Sequence, residues 1–346
     1  MSTETNTGES KGVAAHTGDR PTKRMTHLEG VIDAITAEMR RDERVFFIGQ
    51  DVGTFGGSMQ GTKGLYEEFG PERILEAPIS ESAMVGAAIG AALFGRRPVV
   101  EVSFGEFLPA AMNQLINQAP NIRYMTGGTA RVPVVVRTRV GDGPYGGHPQ
   151  DYSSWFAHVP GLKVVVPATP ADAKGLMTAA IRDDNPVLFF EPMSLSHGRR
   201  GEVPTDDHLE RIGTAHIVRE GRDATVAAWG SMVPLSLQAA QSLAREGIEA
   251  EVLDLRTLAP WDRQAVQSSV SRTQRLIVAH ETWVTGGFGA EVVAAVAEEA
   301  PEILLAPVVR VGARPVPIPS GPLRRHALPD ATQIVDAVRQ VVGGDP

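Results

Sequence analysis

No cysteine occurs among the 346 residues. That excludes disulfides, a thiolate nucleophile and every cysteine-based metal site. It suits a reducing compartment, so the cytoplasm is the expected location. No apolar run reaches the roughly 20 residues needed to cross a bilayer, so no membrane partner is expected. Positive charge is short as well: 33 Lys and Arg stand against 41 Asp and Glu, a net of −8. Without a strong positive field there is nothing to hold the phosphates of a nucleic acid. Metal-ligand spacing is missing among the histidines: His148 and His158 fall on an expected loop and helix, too far apart to ligate together. There is no Walker loop and no Gly-x-Ser-x-Gly elbow. Gly286-Gly287-Phe288-Gly289 precedes a helix but lacks the full dinucleotide fingerprint.

What remains is an ordinary globular balance, 42% hydrophobic and 21% charged. The length suits two domains. Residues 1–25 are polar, carry Glu4, Glu9 and Asp19, and read as a disordered tail. Thr26-His27-Leu28-Glu29 has the spacing of a capping box, and the apolar period that follows predicts a helix over 27–41. Strands are expected at 45–48, 73–75, 99–104, 132–137, 162–166 and 187–190. Helices are expected at 65–69, 108–124 and 171–182, and residues 82–95 are small enough for a closely packed one. Pro192, Gly198, Gly201 and Pro204 break the rhythm, which marks 191–212 as a linker. The alternation then resumes, with strands at 224–229, 249–254, 275–279 and 307–311 and helices at 233–246, 262–270, 288–299 and 331–342. The expected fold is α/β, two doubly wound and mainly parallel sheets, over 26–190 and 213–346.

In such sheets ligands bind beyond the carboxyl ends of the strands. The residues expected there are Asp51, Glu81, Phe104, Phe107 and His148. Glu81 lies in Ala77-Pro78-Ile79-Ser80-Glu81-Ser82, where a strand gives way to the small-residue helix. Alone, it reads as an acid favoured by a helix N-terminus. Gly141-Asp142-Gly143 begins like the diphosphate-binding signature of thiamine enzymes. That signature needs an Asn a helix and a turn later to hold magnesium, and the next Asn is Asn185. The tripeptide is therefore a turn, and no metal ligand is assigned to this chain.

Ordered blocks along nearly the whole chain carry a resemblance. They are Gly49-Gln50-Asp51-Val52, Pro78-Ile79-Ser80-Glu81, Gly86-Ala87-Ala88-Ile89-Gly90, Pro98-Val99-Val100-Glu101, Arg123-Tyr124-Met125-Thr126-Gly127-Gly128 and Pro160-Gly161-Leu162-Lys163-Val164-Val165-Val166-Pro167. Asn185-Pro186-Val187, the run from Asp254 to Asp262, and Thr285-Gly286-Gly287-Phe288-Gly289 extend them. Over residues 26–345 the chain resembles the beta subunit of the thiamine-diphosphate-dependent first component of 2-oxoacid dehydrogenase complexes, of the pyruvate, branched-chain and acetoin types. The resemblance implies a pyrimidine-binding domain followed by a transketolase C-terminal-like domain. It implies decarboxylation of a 2-oxoacid and transfer of the acyl unit to a lipoyl group on a partner. Glu81 would contact the aminopyrimidine of thiamine diphosphate, where a carboxyl group can share a proton with the ring. Phe107 would pack against that ring, Asp51 would lie beside the cofactor, and His148 would serve substrate and proton transfer. The alpha subunit would supply the diphosphate site and its magnesium in an alpha-two-beta-two assembly. Some members also hold a structural potassium ion on backbone carbonyls.

Three positions depart from the family pattern: Pro149 stands for a Ser, Ala77 for a Thr, and Arg324 for a Glu. They bear on substrate and acyl acceptor, not on Glu81. The Gly141–His148 loop also resembles that of transketolases, so a split enzyme passing a ketol or hydroxyacyl unit to a carrier protein is the alternative. A third reading is a catalytically silent assembly subunit.

Overall fold

Short runs rich in Val, Ile and Phe alternate with amphipathic helices, and the result is two main sheets and a two-stranded one. The structure is a computed structural model that describes residues 20–57, 59–143, 147–319 and 321–343. The first half contains β1 (Thr22–Met25), α1 (His27–Arg41), β2 (Val45–Gly49), α2 (Leu65–Phe69), β3 (Ile74–Glu76), α3 (Glu81–Leu93), β4 (Arg97–Phe104), α4 (Ala119–Met125) and β5 (Val135–Val140). It continues with α5 (Ser153–Ala157), β6 (Lys163–Val165), α6 (Pro170–Arg182), β7 (Val187–Pro192), α7 (Met193–Ser196) and β8 (Gly201–Pro204). The second half holds β9 (His216–Arg219), β10 (Ala224–Ala228), α8 (Met232–Ala244), β11 (Ala250–Asp254), β12 (Thr257–Ala259), α9 (Arg263–Thr273), β13 (Leu276–Trp283), α10 (Gly289–Glu299), β14 (Val309–Ala313) and α11 (Ala331–Gly343).

The first sheet runs β12-β6-β7-β5-β4-β2-β3 and the second β14-β13-β10-β11-β9. All pairings are parallel except the two edge strands β12 and β9. The α/β expectation of two mainly parallel sheets is met. On one face of the first sheet α1 and α6 bury Val31, Ile35, Met39, Leu176 and Met177 against Phe47 and Phe189. Gly30 makes that packing close, since a Cβ there would lie 2.6 Å from the Pro170 carbonyl oxygen. The other face shares one apolar core with the second half, in which Met84, Leu108, Phe156 and Phe190 join Trp229, Leu253 and Phe288. The capping box forms as expected: Thr26 Oγ1 accepts from Glu29 N–H at 3.2 Å and Glu29 Oε2 from Thr26 N–H at 2.8 Å.

Four details correct the sequence reading. Residues 22–25 of the expected tail are strand β1, while residues 1–19 lie outside the described residues. The expected linker contains α7 and β8, and β8 pairs antiparallel with β1, so both ends of the first half are tied together. Strand β12, from the second half, closes the edge of the first sheet. The helix expected over 108–124 starts as a 3₁₀ segment, Gly105–Ala111, with Pro109 inside it. It passes through a π-helical stretch, Asn113–Gln118, before α4. Proline removes a ladder donor and wider turns absorb the mismatch.

Candidate functional site

Strands β5, β4, β2 and β3 are parallel neighbours, so their carboxyl ends form one edge. All the residues expected at a ligand site emerge along it. Asp51 follows β2 in the left-handed region, φ 57°, and its exposed side chain accepts from Gln50 Nε2 at 3.1 Å. Glu81 is the first residue of α3. That helix packs on the segment after β4, where a Cβ on Gly86 would sit 3.8 Å from Gln114 Cγ. The Glu81 side chain is half-buried and makes no hydrogen bond or ion pair among the described residues.

The segment after β4 supplies the wall. Phe104 closes the strand and Phe107 lies in the turn beyond it, their rings edge to face at 5.9 Å. His148 sits against both, at 4.9 Å from the Phe104 centroid and 4.7 Å from that of Phe107. Between the two phenylalanines Glu106 reaches the histidine, with Oε2 3.1 Å from His148 Nδ1. Its Oε1 accepts from Gln150 N–H at 3.0 Å. The Gln150 amide pairs with the backbone of Ile318 in the second half, donating at 3.3 Å and accepting at 3.4 Å. His148 is held at φ 58°, a conformation sparse for non-glycine residues and disfavoured before a proline. A cost of about 1 kcal/mol or more persists only where neighbours over-determine the geometry, as these do.

The loop leading to His148 is also clamped at its start. Glu281, at the end of β13, accepts from Asp142 N–H at 2.5 Å and from the Ser231 hydroxyl. Gly141 has φ 75°, and a Cβ there would meet Glu281 Oε1 at 2.6 Å, so only glycine fits. Arg324, the charge-reversed position, pairs with Asp142 Oδ1 at 3.1 Å and donates to the Gly143 carbonyl at 3.2 Å. These groups border a cavity of about 370 Å³ between the two halves. Burial raises the Glu281 carboxyl to about 7; hydrogen bonds from Ser231 and Asp142 N–H oppose this, and the charges of Asp151 and Asp142 add to it. Its folded value lies above the usual 4.5. Between those two values the folded chain keeps a proton that the unfolded chain has released. This group's contribution to stability is therefore full below about pH 4.5 and is lost as pH rises through about 7. Glu281→Gln preserves both hydrogen bonds, because its amide nitrogen can donate to Ser231. The expected outcome is a flatter dependence of Tm on pH between about 5 and 7. A variant with the wild-type slope would contradict the assignment.

The structure thus brings Phe107 and His148 into contact and sets Glu81 on the adjoining helix. Asp51 lies on the same edge with its side chain engaged by Gln50. Sequence reasoning missed Glu106 and the anchoring role of Gln150. The available signal was position alone, an acid in Gly105-Glu106-Phe107 just past a strand of the binding edge. Among the described residues no group of three or more His, Asp or Glu could hold a metal ion, and no helix is long and apolar enough to cross a membrane.

A mainly parallel sheet followed by a smaller mainly parallel sheet is the order of two known domain families. Residues 23–197 match the family "Transketolase, pyrimidine binding domain" and residues 213–334 "Transketolase, C-terminal domain". The chain is 41% identical to the 2-oxoisovalerate dehydrogenase subunit beta of Bacillus subtilis, covering 92% of this chain and 98% of that one. It is 43% identical to the acetoin:2,6-dichlorophenolindophenol oxidoreductase subunit beta of Cupriavidus necator, over 90% and 96%. It is 41% identical to the pyruvate dehydrogenase E1 component subunit beta of Rhizobium meliloti, over 92% and 70%. A solved structure described as "Split gene transketolase, inactive beta4 tetramer" superposes with a TM-score of 0.76 at 26% identity, over 92% and 98%. The chain belongs to the family of beta subunits of 2-oxoacid dehydrogenase first components.

Proposed function

We propose that this chain is the beta half of a thiamine-diphosphate-dependent enzyme that decarboxylates a 2-oxoacid and passes the acyl unit to a lipoyl carrier. It comprises a pyrimidine-binding domain over 26–190 and a C-terminal domain over 213–346. The observation that carries the reading is the Glu81 carboxyl, half-buried and without a partner among the described residues, at the sheet edge of a domain matching the pyrimidine-binding family. A carboxyl group there suits a ring nitrogen that must share a proton, and Phe107 offers a flat apolar surface beside it. Those residues fit thiamine diphosphate, with Asp51 bordering the same edge. When bound, the cofactor supplies the electron sink for decarboxylation.

The protein's own work is then binding, orientation and proton management. Glu81 holds a proton at the aminopyrimidine. Phe104 and Phe107 keep water from one side of the site, and His148 moves a proton at the substrate. The diphosphate and its magnesium fall to an alpha chain in an alpha-two-beta-two assembly in the cytoplasm, since this chain has no Asn in register with Asp142. A potassium ion on backbone carbonyls belongs to the same proposal.

The test is reconstitution with the alpha chain, thiamine diphosphate and magnesium, followed by carbon dioxide release from pyruvate, a branched 2-oxoacid and, separately, acetoin cleavage. The expected result is turnover of one of the three only by the assembled complex. The likeness to the split transketolase favours one second reading, transfer of a ketol unit. Turnover confined to ketose phosphates would select it. A complex that binds no cofactor would leave an assembly role.

A further inference from the structure

We propose that Glu106 is the positioning residue for His148, setting which imidazole nitrogen exchanges a proton in the reaction; the inference rests on the function proposed above. The geometry leaves little freedom. Glu106 Oε2 lies 3.1 Å from Nδ1, and an ionised carboxylate can only accept, so Nδ1 carries the proton of that bond. Nε2 makes no hydrogen bond among the described residues and is the nitrogen left free to exchange a proton with a bound group. The second oxygen of Glu106 is already committed to Gln150 N–H at 3.0 Å, so the carboxylate cannot swing away without breaking that bond. Phe104 and Phe107 flank the imidazole at 4.9 and 4.7 Å, which fixes the ring plane.

Charge supports the same assignment. Among the described residues His148 is the one basic group within ion-pair distance of Glu106. The phenol of Tyr152 lies close enough that its proton is held more tightly, through burial first and through the Glu106 charge second. A half-buried carboxylate bonded to a histidine that lies against two aromatic rings is an arrangement that orients a proton-transfer imidazole. The left-handed backbone at His148, φ 58°, shows that the chain accepts strain to place this ring.

The test is Glu106→Gln in the complex assembled with its alpha chain. The glutamine keeps the size of the side chain but has one acceptor oxygen. It cannot accept from both His148 Nδ1–H and Gln150 N–H, so its amide faces one of them as a competing donor. Expected is a fall in kcat of about 10- to 100-fold with KM changed less than about threefold. The limb of the kcat/KM pH profile assigned to His148 should move, and Glu106→Asp should restore part of the rate. Affinity for thiamine diphosphate, read by titration, should stay within about twofold, since Glu106 is not placed on the cofactor. A readout without turnover is the 15N NMR of histidine-labelled chain, with His148 assigned through His148→Gln. Wild type should show protonated Nδ1 and bare Nε2, and Glu106→Gln a mixture of tautomers.

An unchanged tautomer with unchanged kcat overturns the proposal. So does a loss of kcat that tracks lost thermal stability with no change in tautomer or pH profile, which would be a structural role. If the wild-type complex turned over no 2-oxoacid, the functional reading would fail while the tautomer measurement still tested the pair.

Discussion

Glu81→Gln in the assembled complex is expected to lower turnover by at least about 100-fold, the lower end of what a positioned acid or base contributes, while the chain folds normally. The substitution removes the ionisable carboxyl group but not the shape. Glu81 opens α3, its side chain is half-buried, and no partner among the described residues depends on its charge. What the fold loses is an acid in a first helical turn, worth roughly 0.3–1 kcal/mol, or about one degree in Tm. On the proposed function, what the site loses is the group that shares a proton with the aminopyrimidine ring. The two readouts therefore separate: calorimetric melting should barely move while carbon dioxide release nearly stops. Cofactor titration should still show binding, because the proposed function gives the diphosphate contacts to the alpha chain. A variant that kept most of its turnover would sink the thiamine assignment, and a variant that failed to fold would show that Glu81 is structural.

Much of this was legible before any coordinates. The capping box at Thr26 and the apolar period after it gave α1 to the residue. The alternation of strands and helices implied a parallel sheet, and a parallel sheet puts Asp51, Glu81, Phe107 and His148 on one edge whatever the details. Three things were not legible, each for a physical reason. Strands β9 and β12 hold four and three residues, too few for any period to register. Glu106 looks like any acid near a turn, because its meaning comes from a histidine 42 positions away. Strand β5 was expected to begin at residue 132 and end at Arg137. It spans Val135–Val140 instead and is buried throughout. Pro133 lacks a ladder donor and delays the start. The continuation past Arg137 follows from acids that the neighbouring strands place opposite its two arginines.

That buried layer supports the second large effect: Arg137→Met should cost about 3–5 kcal/mol, the usual penalty for orphaning a buried charge. Arg137 is 1% exposed. Its Nε and Nη2 donate to the two oxygens of Glu191 on β7 at 2.6 and 2.8 Å, and Nη1 donates to Glu101 Oε2 on β4 at 2.5 Å. Burial alone would raise Glu191, but the charge of Arg137 outweighs it and holds that carboxyl below its usual range. Wild type therefore keeps this contribution above the ordinary carboxylate pKa and loses it only as pH falls through the lower folded value. Without Arg137, two buried carboxylates share Arg139, whose nearest contact to Glu101 is 3.4 Å. Burial then dominates and their pKa values rise, so the sign reverses: the variant should gain stability as pH falls from 8 towards 5 while its carboxylates take up protons. Against a total of about 5–15 kcal/mol, the loss at neutral pH should appear as a Tm drop of ten degrees or more, or as insoluble chain. A single variant melting within two degrees of wild type at pH 7 would refute the account. The consequence reaches the site. β4 carries Phe104, Glu106 and Phe107 at its carboxyl end and β5 carries the loop to His148. The Arg137 layer joins these two strands, so it helps hold Glu106 within hydrogen-bonding distance of the histidine.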